Sequence, residues 1–337
     1  MNQPVTEITR PLVHFTPAKN WINDPNGLVY FDGEYHLFYQ YNPQGDTWGH
    51  MSWGHAVSRD LVQWTHLPVA LSEASDHMIY SGSAVVDWNN TSGFGQNGQP
   101  PLVAIYTAHY TNQPLQKQHI AYSSDKGRTW TAYAGNPVLD IGEADFRDPK
   151  VFWHESSGRW IMVVSLSVRK QLSMYASRDL KNWLHLSDFG PVGCVDGIWE
   201  CPDLFPLSVD QNGGLEKWVL LLNINPGHPA GGSGCQYFVG HFDGTRFVSE
   251  SDKVLWVDHG PDFYAAVSWS DIPANDGRRI ILGWMNNWIY AGKTPTSPWR
   301  GMMSIPRVAS LKKTSHGYRL IQTPVAELLP YRSVDEY

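Results

Sequence analysis

An all-β fold, a five-bladed β-propeller with four antiparallel strands per blade, is the architecture that the 337-residue sequence predicts. Three observations lead there. Strand signals dominate, and helical periodicity with caps is hard to find. A unit of strand, Ser/Asp turn and aromatic recurs along the chain. The composition includes 16 Trp and 16 Tyr, side chains that favour pleated, half-buried surfaces.

The strand signals begin with Leu28-Val-Tyr-Phe31 and Tyr35-His-Leu-Phe-Tyr39, which flank Asp32-Gly33, a short-hairpin turn. Trp160-Ile-Met-Val-Val164 and Trp218-Val-Leu-Leu-Leu222 read as buried strands. The recurring unit is Ala56-Val-Ser-Arg-Asp-Leu-Val-Gln-Trp64, then Ala121-Tyr-Ser-Ser-Asp-Lys-Gly-Arg-Thr-Trp130, then Ala176-Ser-Arg-Asp-Leu-Lys-Asn-Trp183. A weaker copy is Val239-Gly-His-Phe-Asp-Gly-Thr-Arg-Phe247. A unit of about 60–65 residues built from short strands matches one propeller blade, and the chain holds about five. A β-sandwich would instead show turns about every 8–12 residues without this longer period. The propeller is assigned to residues 1–322. Residues 323–337 read as a polar linker or the start of a further domain.

Each unit opens on a turn-rich motif: Trp21-Ile-Asn-Asp-Pro-Asn-Gly27, Tyr80-Ser-Gly-Ser83, Phe146-Arg-Asp-Pro149, Trp199-Glu-Cys-Pro-Asp-Leu-Phe205 and Asp262-Phe-Tyr-Ala-Ala266. First strands line the central channel of a propeller. Asp24, Asp148, Glu200 and Asp262 are therefore expected at equivalent positions, facing one another across its mouth. Like charges crowded together raise at least one pKa. Glycoside hydrolysis needs that situation, one ionised carboxylate beside one protonated. Asp-Pro and Asn-Gly also make ordinary turns, which explains neither Glu200 nor the flanking Trp21 and Trp199.

Composition narrows the remaining classes. Net charge is −7 and no basic run of five residues occurs, so the footprint of nucleic-acid binding is missing. Three cysteines, Cys194, Cys201 and Cys235, do not make a disulfide scaffold. No apolar run reaches membrane-spanning length, and Met1 to Leu12 lacks a signal-peptide core. A cytoplasmic protein and a secreted one whose signal has been removed look alike here. No H-E-x-x-H spacing appears, and no cofactor is expected.

The motifs at Trp21–Gly27, Phe146–Pro149 and Trp199–Pro202, in this order with Tyr80–Ser83 between them, resemble glycoside hydrolase family 32. Gly283-Trp-Met-Asn-Asn-Trp288 and Thr296-Ser-Pro-Trp-Arg300 resemble its levanase and exo-inulinase branch. The resemblance implies a five-bladed propeller and a retaining mechanism on a fructan or sucrose substrate. By position, Asp24 is the nucleophile, Glu200 the acid/base, and Asp148 the carboxylate that binds fructose hydroxyls. Arg147 is expected to pair with a carboxylate and help keep Glu200 protonated. Asn23, Gln40, Trp48 and Ser83 resemble fructose-pocket residues, Trp21 and Trp284 its walls, with Asp262 and Trp299 as further candidates. Asp24-Pro25, where endo-acting relatives tend to carry Glu-Pro, favours exo action. Family members normally carry a C-terminal β-sandwich, a part this chain does not include. Fructosyl transfer, a non-catalytic sugar-binding propeller and a sialidase-like enzyme are the competing readings. The last wants an arginine cluster that Arg147 alone does not supply.

Overall fold

A computed structural model describes residues 10–210 and 214–332. Among them, five antiparallel sheets follow one another along the chain. Blade 1 comprises β1 (Asn20–Phe31), β2 (Glu34–Asn42), β3 (Ser52–Ser58) and β4 (Trp64–Leu71). Blade 2 comprises β5 (His77–Val86), β6 (Leu102–Tyr110), β7 (Leu115–Ser123) and β8 (Thr131–Ala132). Blade 3 comprises β9 (Phe146–His154), β10 (Arg159–Leu166), β11 (Gln171–Ser177) and β12 (Leu184–Phe189). Blade 4 comprises β13 (Ile198–Ser208), β14 (Glu216–Asn225), β15 (Gly234–Phe242) and β16 (Phe247–Ser249), with β17 (Leu255–Trp256) beside β15. Blade 5 comprises β18 (Tyr264–Ser268), β19 (Arg279–Trp284), β21 (Arg307–Thr314) and β22 (Gly317–Pro324). The short β20 (Trp299–Arg300) leaves blade 5 to pair in parallel with the start of β1.

The core is divided into five clusters, one in each seam between neighbouring blades. Strand alternation produces this division. On β6, Leu102, Ala104 and Tyr106 face blade 1, while Val103 and Ile105 face blade 3. Both faces are buried, so such strands read as unbroken apolar runs rather than half-polar ones.

The recurring sequence unit is the hairpin from the third to the outermost strand. In its turn the Asp carboxylate caps backbone N–H groups. Asp60 Oδ1 accepts from Val62 and Gln63, and Asp179 Oδ1 from Lys181 and Asn182, at 2.7–2.9 Å. The tryptophan then closes the turn. Trp64 Nε1 donates to Leu61 O, Trp130 Nε1 to Gly127 O and Trp183 Nε1 to Leu180 O. Phe247 has no such N–H, which explains why the fourth copy is weak.

The ring closes between blades 5 and 1. Tyr30 N donates to Ser270 O and Ser270 N to Leu28 O, each at 2.9 Å. Beyond β22, Val325 is buried in the seam between these blades. Glu327 pairs with Arg278 at 2.8 Å, and Gln63 Nε2 donates to Tyr331 Oη at 2.7 Å. The expected boundary after Gln322 thus falls inside β22, and residues 326–331 pack back on the propeller; residues 333–337 lie outside the described residues.

Candidate active site

Each innermost strand carries the same irregularity. The pairing steps across three residues on the inner strand against two on its neighbour: Ile22 to Pro25, Ile79 to Gly82, Arg147 to Lys150, Glu200 to Asp203 and Tyr264 to Val267. Each is a β-bulge, one extra residue that bends the strand and re-aims its side chains. The blade-start motifs are therefore not turns before strands, as the Pro and Gly content suggested. They are bulges within them. In blade 2 the approach is so tight that a Cβ on Gly82 would sit 2.1 Å from Ile105 O.

The bulges define three levels, and residues at one level in adjacent blades touch. Arg147, Glu200 and Tyr264 are the last residues paired before the bulges of blades 3, 4 and 5. Arg147 Nε donates to Glu200 Oε1 at 3.0 Å, and the Tyr264 hydroxyl donates to Glu200 Oε2. Asp148 and Cys201 stand one residue further on, and Cys201 N donates to Asp148 Oδ2 at 3.0 Å. Asp24 and Ser81 stand two further on, and Ser81 Oγ donates to Asp24 Oδ2 at 2.7 Å. The acids converge from three different levels, which corrects the expectation of equivalent positions. Bulge phase explains it: one residue of offset swings a side chain across the channel.

All of these groups but Cys201 line a cavity of about 460 Å³ at one end of the channel, with Asn23, Gln40, Trp48, Tyr80, His109 and Trp288 among its walls. Burial pushes the Asp24 carboxyl up, opposed by hydrogen bonds from Ser81 and Asn23, and the Glu200 charge adds to the rise. Asn23 Nδ2 reaches Asp24 Oδ1 at 2.9 Å and is itself fixed by Trp21 Nε1 at 2.8 Å. The Cys201 thiol donates to Asp24 Oδ2 at 3.4 Å, and burial holds that thiol protonated. The cysteine is thus a donor to the site.

Asp148 adopts φ of 67°, a strained conformation for a non-glycine residue, and burial pushes its carboxyl up to about 7 despite the Arg147 guanidinium. The folded state then holds a proton that the unfolded chain, at 3.8, has released. Stability contributed by this group is full below about pH 4 and declines as pH rises towards 7. Asp148→Asn is expected to remove that decline, stabilising the protein at pH 8 by on the order of 1–3 kcal/mol. Thermal melts at pH 4 and pH 8 test this: the gap should open only at the higher pH.

Several expected residues lie elsewhere. Ser83 Oγ donates to Pro149 O at 2.8 Å and accepts from Val151 N, joining blades 2 and 3 away from the cavity. Ser81 takes the place expected of it, because the bulge shifts the wall-forming serine by two residues. Asp262 accepts from the Tyr290 hydroxyl and does not line the cavity; Tyr264, two residues on, does. Trp21 and Trp284 form a buried layer behind the wall, where their rings lie 6.0 Å apart. Trp288, half-buried and stacked on Trp21, forms the wall in their stead. Trp299 is also buried, with the Arg10 guanidinium over its ring. Asn23, Gln40 and Trp48 do face the cavity. Arg147 pairs with Glu200 at 3.0 Å.

Residues 14–324 match the family model "Glycosyl hydrolases family 32 N-terminal domain". The chain belongs to glycosyl hydrolase family 32. The levanase of Bacillus subtilis (strain 168) is 57% identical over 331 residues, which cover 97% of this chain and 48% of that protein. The extracellular exo-inulinase of Aspergillus awamori is 47% identical over 345 residues, covering 92% of this chain and 64% of its own length. The crystal structure of exo-inulinase from Aspergillus awamori superposes with a TM-score of 0.90 at 46% identity, over 94% of this chain and 67% of that one. The family 32 chain thus spans about half of the levanase and under two-thirds of the exo-inulinase.

Proposed function

We propose that this family 32 propeller is a retaining exo-β-fructosidase, hydrolysing terminal fructose from levan, inulin or sucrose. The observation that carries the reading is the convergence of Asp24, Asp148 and Glu200 on one cavity, each with a different set of partners. Among the described residues the donors to Asp24 are neutral, Ser81, Asn23 and the Cys201 thiol, which leaves its charge for attack on C2 of the fructosyl ring. The bond from C2 to the leaving oxygen breaks as Glu200 delivers a proton to that oxygen. Glu200 then takes a proton from water, which attacks C2 and releases Asp24. Arg147 and Tyr264 hold the Glu200 carboxyl group in place through both steps. Asp148, between the two, accepts from fructose hydroxyls.

The floor supports exo action. Below the mouth the channel narrows to a void of about 10 Å³ among Pro25, Pro149, Cys201 and Pro202, so a chain end enters and a chain cannot pass through. Time courses on levan, inulin and sucrose test the reading. Fructose as the sole early product from the fructans supports it. Early oligosaccharides would replace exo action with endo cleavage or transfer, and no release from any of the three would sink it.

Tyr264 is proposed as a positioning residue for Glu200. A hydrogen bond to a charged group contributes about 1.5–3 kcal/mol, so Tyr264→Phe is expected to lower kcat by roughly 10- to 100-fold with KM little changed. Steady-state kinetics across pH measure this, and an unaltered kcat would remove Tyr264 from the machinery.

A further inference from the structure

Directly beneath the catalytic mouth the channel is closed by charged side chains. Lys150 is 5% exposed and Asp203 is wholly buried. Lys150 Nζ lies 3.2 Å from Asp203 Oδ2 and donates to Ser268 O at 2.7 Å. Ser268 N donates to the same Asp203 oxygen at 2.6 Å, while Asp203 Oδ1 has no hydrogen-bond partner. A buried ion pair is a weak source of stability, because desolvating both charges offsets their attraction. The orphaned oxygen adds to the cost. Apolar side chains, which fill every seam of this propeller, would close the channel more cheaply.

The place of the pair in the fold gives it a purpose. Lys150 and Asp203 are the first residues to resume pairing after the bulges of β9 and β13. Pro149 alone separates Lys150 from Asp148, and Cys201 and Pro202 separate Asp203 from Glu200. In β18 pairing resumes at Val267, and Ser268 is the next residue, four after Tyr264. Lys150 and Asp203 thus repeat, one tier lower, the succession of Arg147 and Glu200, and Ser268 of blade 5 joins them through its backbone. We propose that the Lys150–Asp203 pair is a positioning device, which locks the bulges of blades 3 and 4 together and fixes Asp148 against Glu200. It rests on the roles proposed above for those two acids. Apolar contacts are non-directional and let one bulge slide on the next, whereas the ion pair and its two hydrogen bonds to Ser268 set one register. Displacing reacting groups by about 1 Å can cost about 100-fold in rate.

The double variant Lys150→Met/Asp203→Asn removes both charges together, so no uncompensated charge is left buried. The Asn oxygen can still accept from Ser268 N. Kinetics on sucrose and on an aryl fructoside with a good leaving group, beside thermal melts, test the proposal. The expected result is a kcat lower by about 10- to 100-fold on both substrates, with KM within about threefold and a near-native melting temperature. Equal losses on the two substrates separate a register fault from loss of the acid, which good leaving groups forgive. A folded double variant with wild-type kcat overturns the proposal. If that variant does not fold, Lys150→Arg keeps the charge but replaces the point ammonium with a planar fork. Its kcat should fall in the same way, and wild-type kcat there is equally fatal. Absence of fructosidase activity from the wild-type chain would instead remove the underlying reading.

Discussion

Asp24→Asn is expected to lower kcat on sucrose by roughly 10⁵–10⁶-fold, the scale of removing a covalent nucleophile, and to raise thermal stability at neutral pH. The kinetic half follows from chemistry: an amide cannot form the fructosyl ester. The stability half follows from burial. Desolvation is the largest influence on Asp24 and raises its pKa above 3.8. The folded protein therefore holds this proton more tightly than the unfolded chain, and ionising Asp24 as pH rises works against the fold. The amide cannot ionise, and its oxygen can still accept from Ser81 or Asn23. The melting-temperature gain should be present at pH 7 and vanish towards pH 4. A residual rate within tenfold of wild type would take the nucleophile role from Asp24. A gain that widened on acidification would reject the electrostatic argument.

The two halves of that prediction describe one trade. Two buried carboxylates, Asp24 and Asp148, and a half-buried third, Glu200, surround one cavity, with the Arg147 guanidinium in direct contact with Glu200. Such a site weakens the fold so that the empty cavity is already set for a fructosyl transition state. The interblade cores and the clasp between blades 5 and 1 offset this, so the amide variants are expected to keep the fold.

Much of this was legible in the sequence because it is periodic or chemically singular. The Ser/Asp-Trp unit can be read because the Asp carboxylate and the Trp N–H serve the same turn in three blades, as Asp60 and Trp64 do in the first. Asp24 and Glu200 stand in motifs whose residue types turn formation does not require. The bulges were not legible. They insert one residue into a strand, and Asp24-Pro25, Asp148-Pro149 and Cys201-Pro202 look like turns until the pairing register is known. That one blind spot accounts for the choice of Ser83 over Ser81 and of Asp262 over Tyr264, each two residues from the side chain that reaches the cavity. Trp21 and Trp284 were chosen over Trp288 for a different reason: an indole says nothing of whether it forms a wall or the layer behind it.

Glu200→Gln separates the two chemical steps. On sucrose, whose leaving oxygen needs a proton, kcat should fall by about 10²–10⁴-fold, the usual reach of general acid–base catalysis. On an aryl fructoside with a good leaving group the first step needs little help, so the enzyme should show a burst. The fructosyl-enzyme on Asp24 then accumulates, because no base activates water. Intact-protein mass spectrometry should detect one added fructosyl residue. Azide, an anion that needs no base, should restore turnover. The geometry makes the substitution mild: the amide oxygen can keep the Arg147 contact at Oε1, and the Tyr264 hydroxyl can rotate to accept from the new N–H. Equal rate losses on both substrates, without a burst and without azide rescue, would show that Glu200 only holds its neighbours. The double displacement would then need another acid, and Asp148, raised by burial to about 7, would be the group to test next.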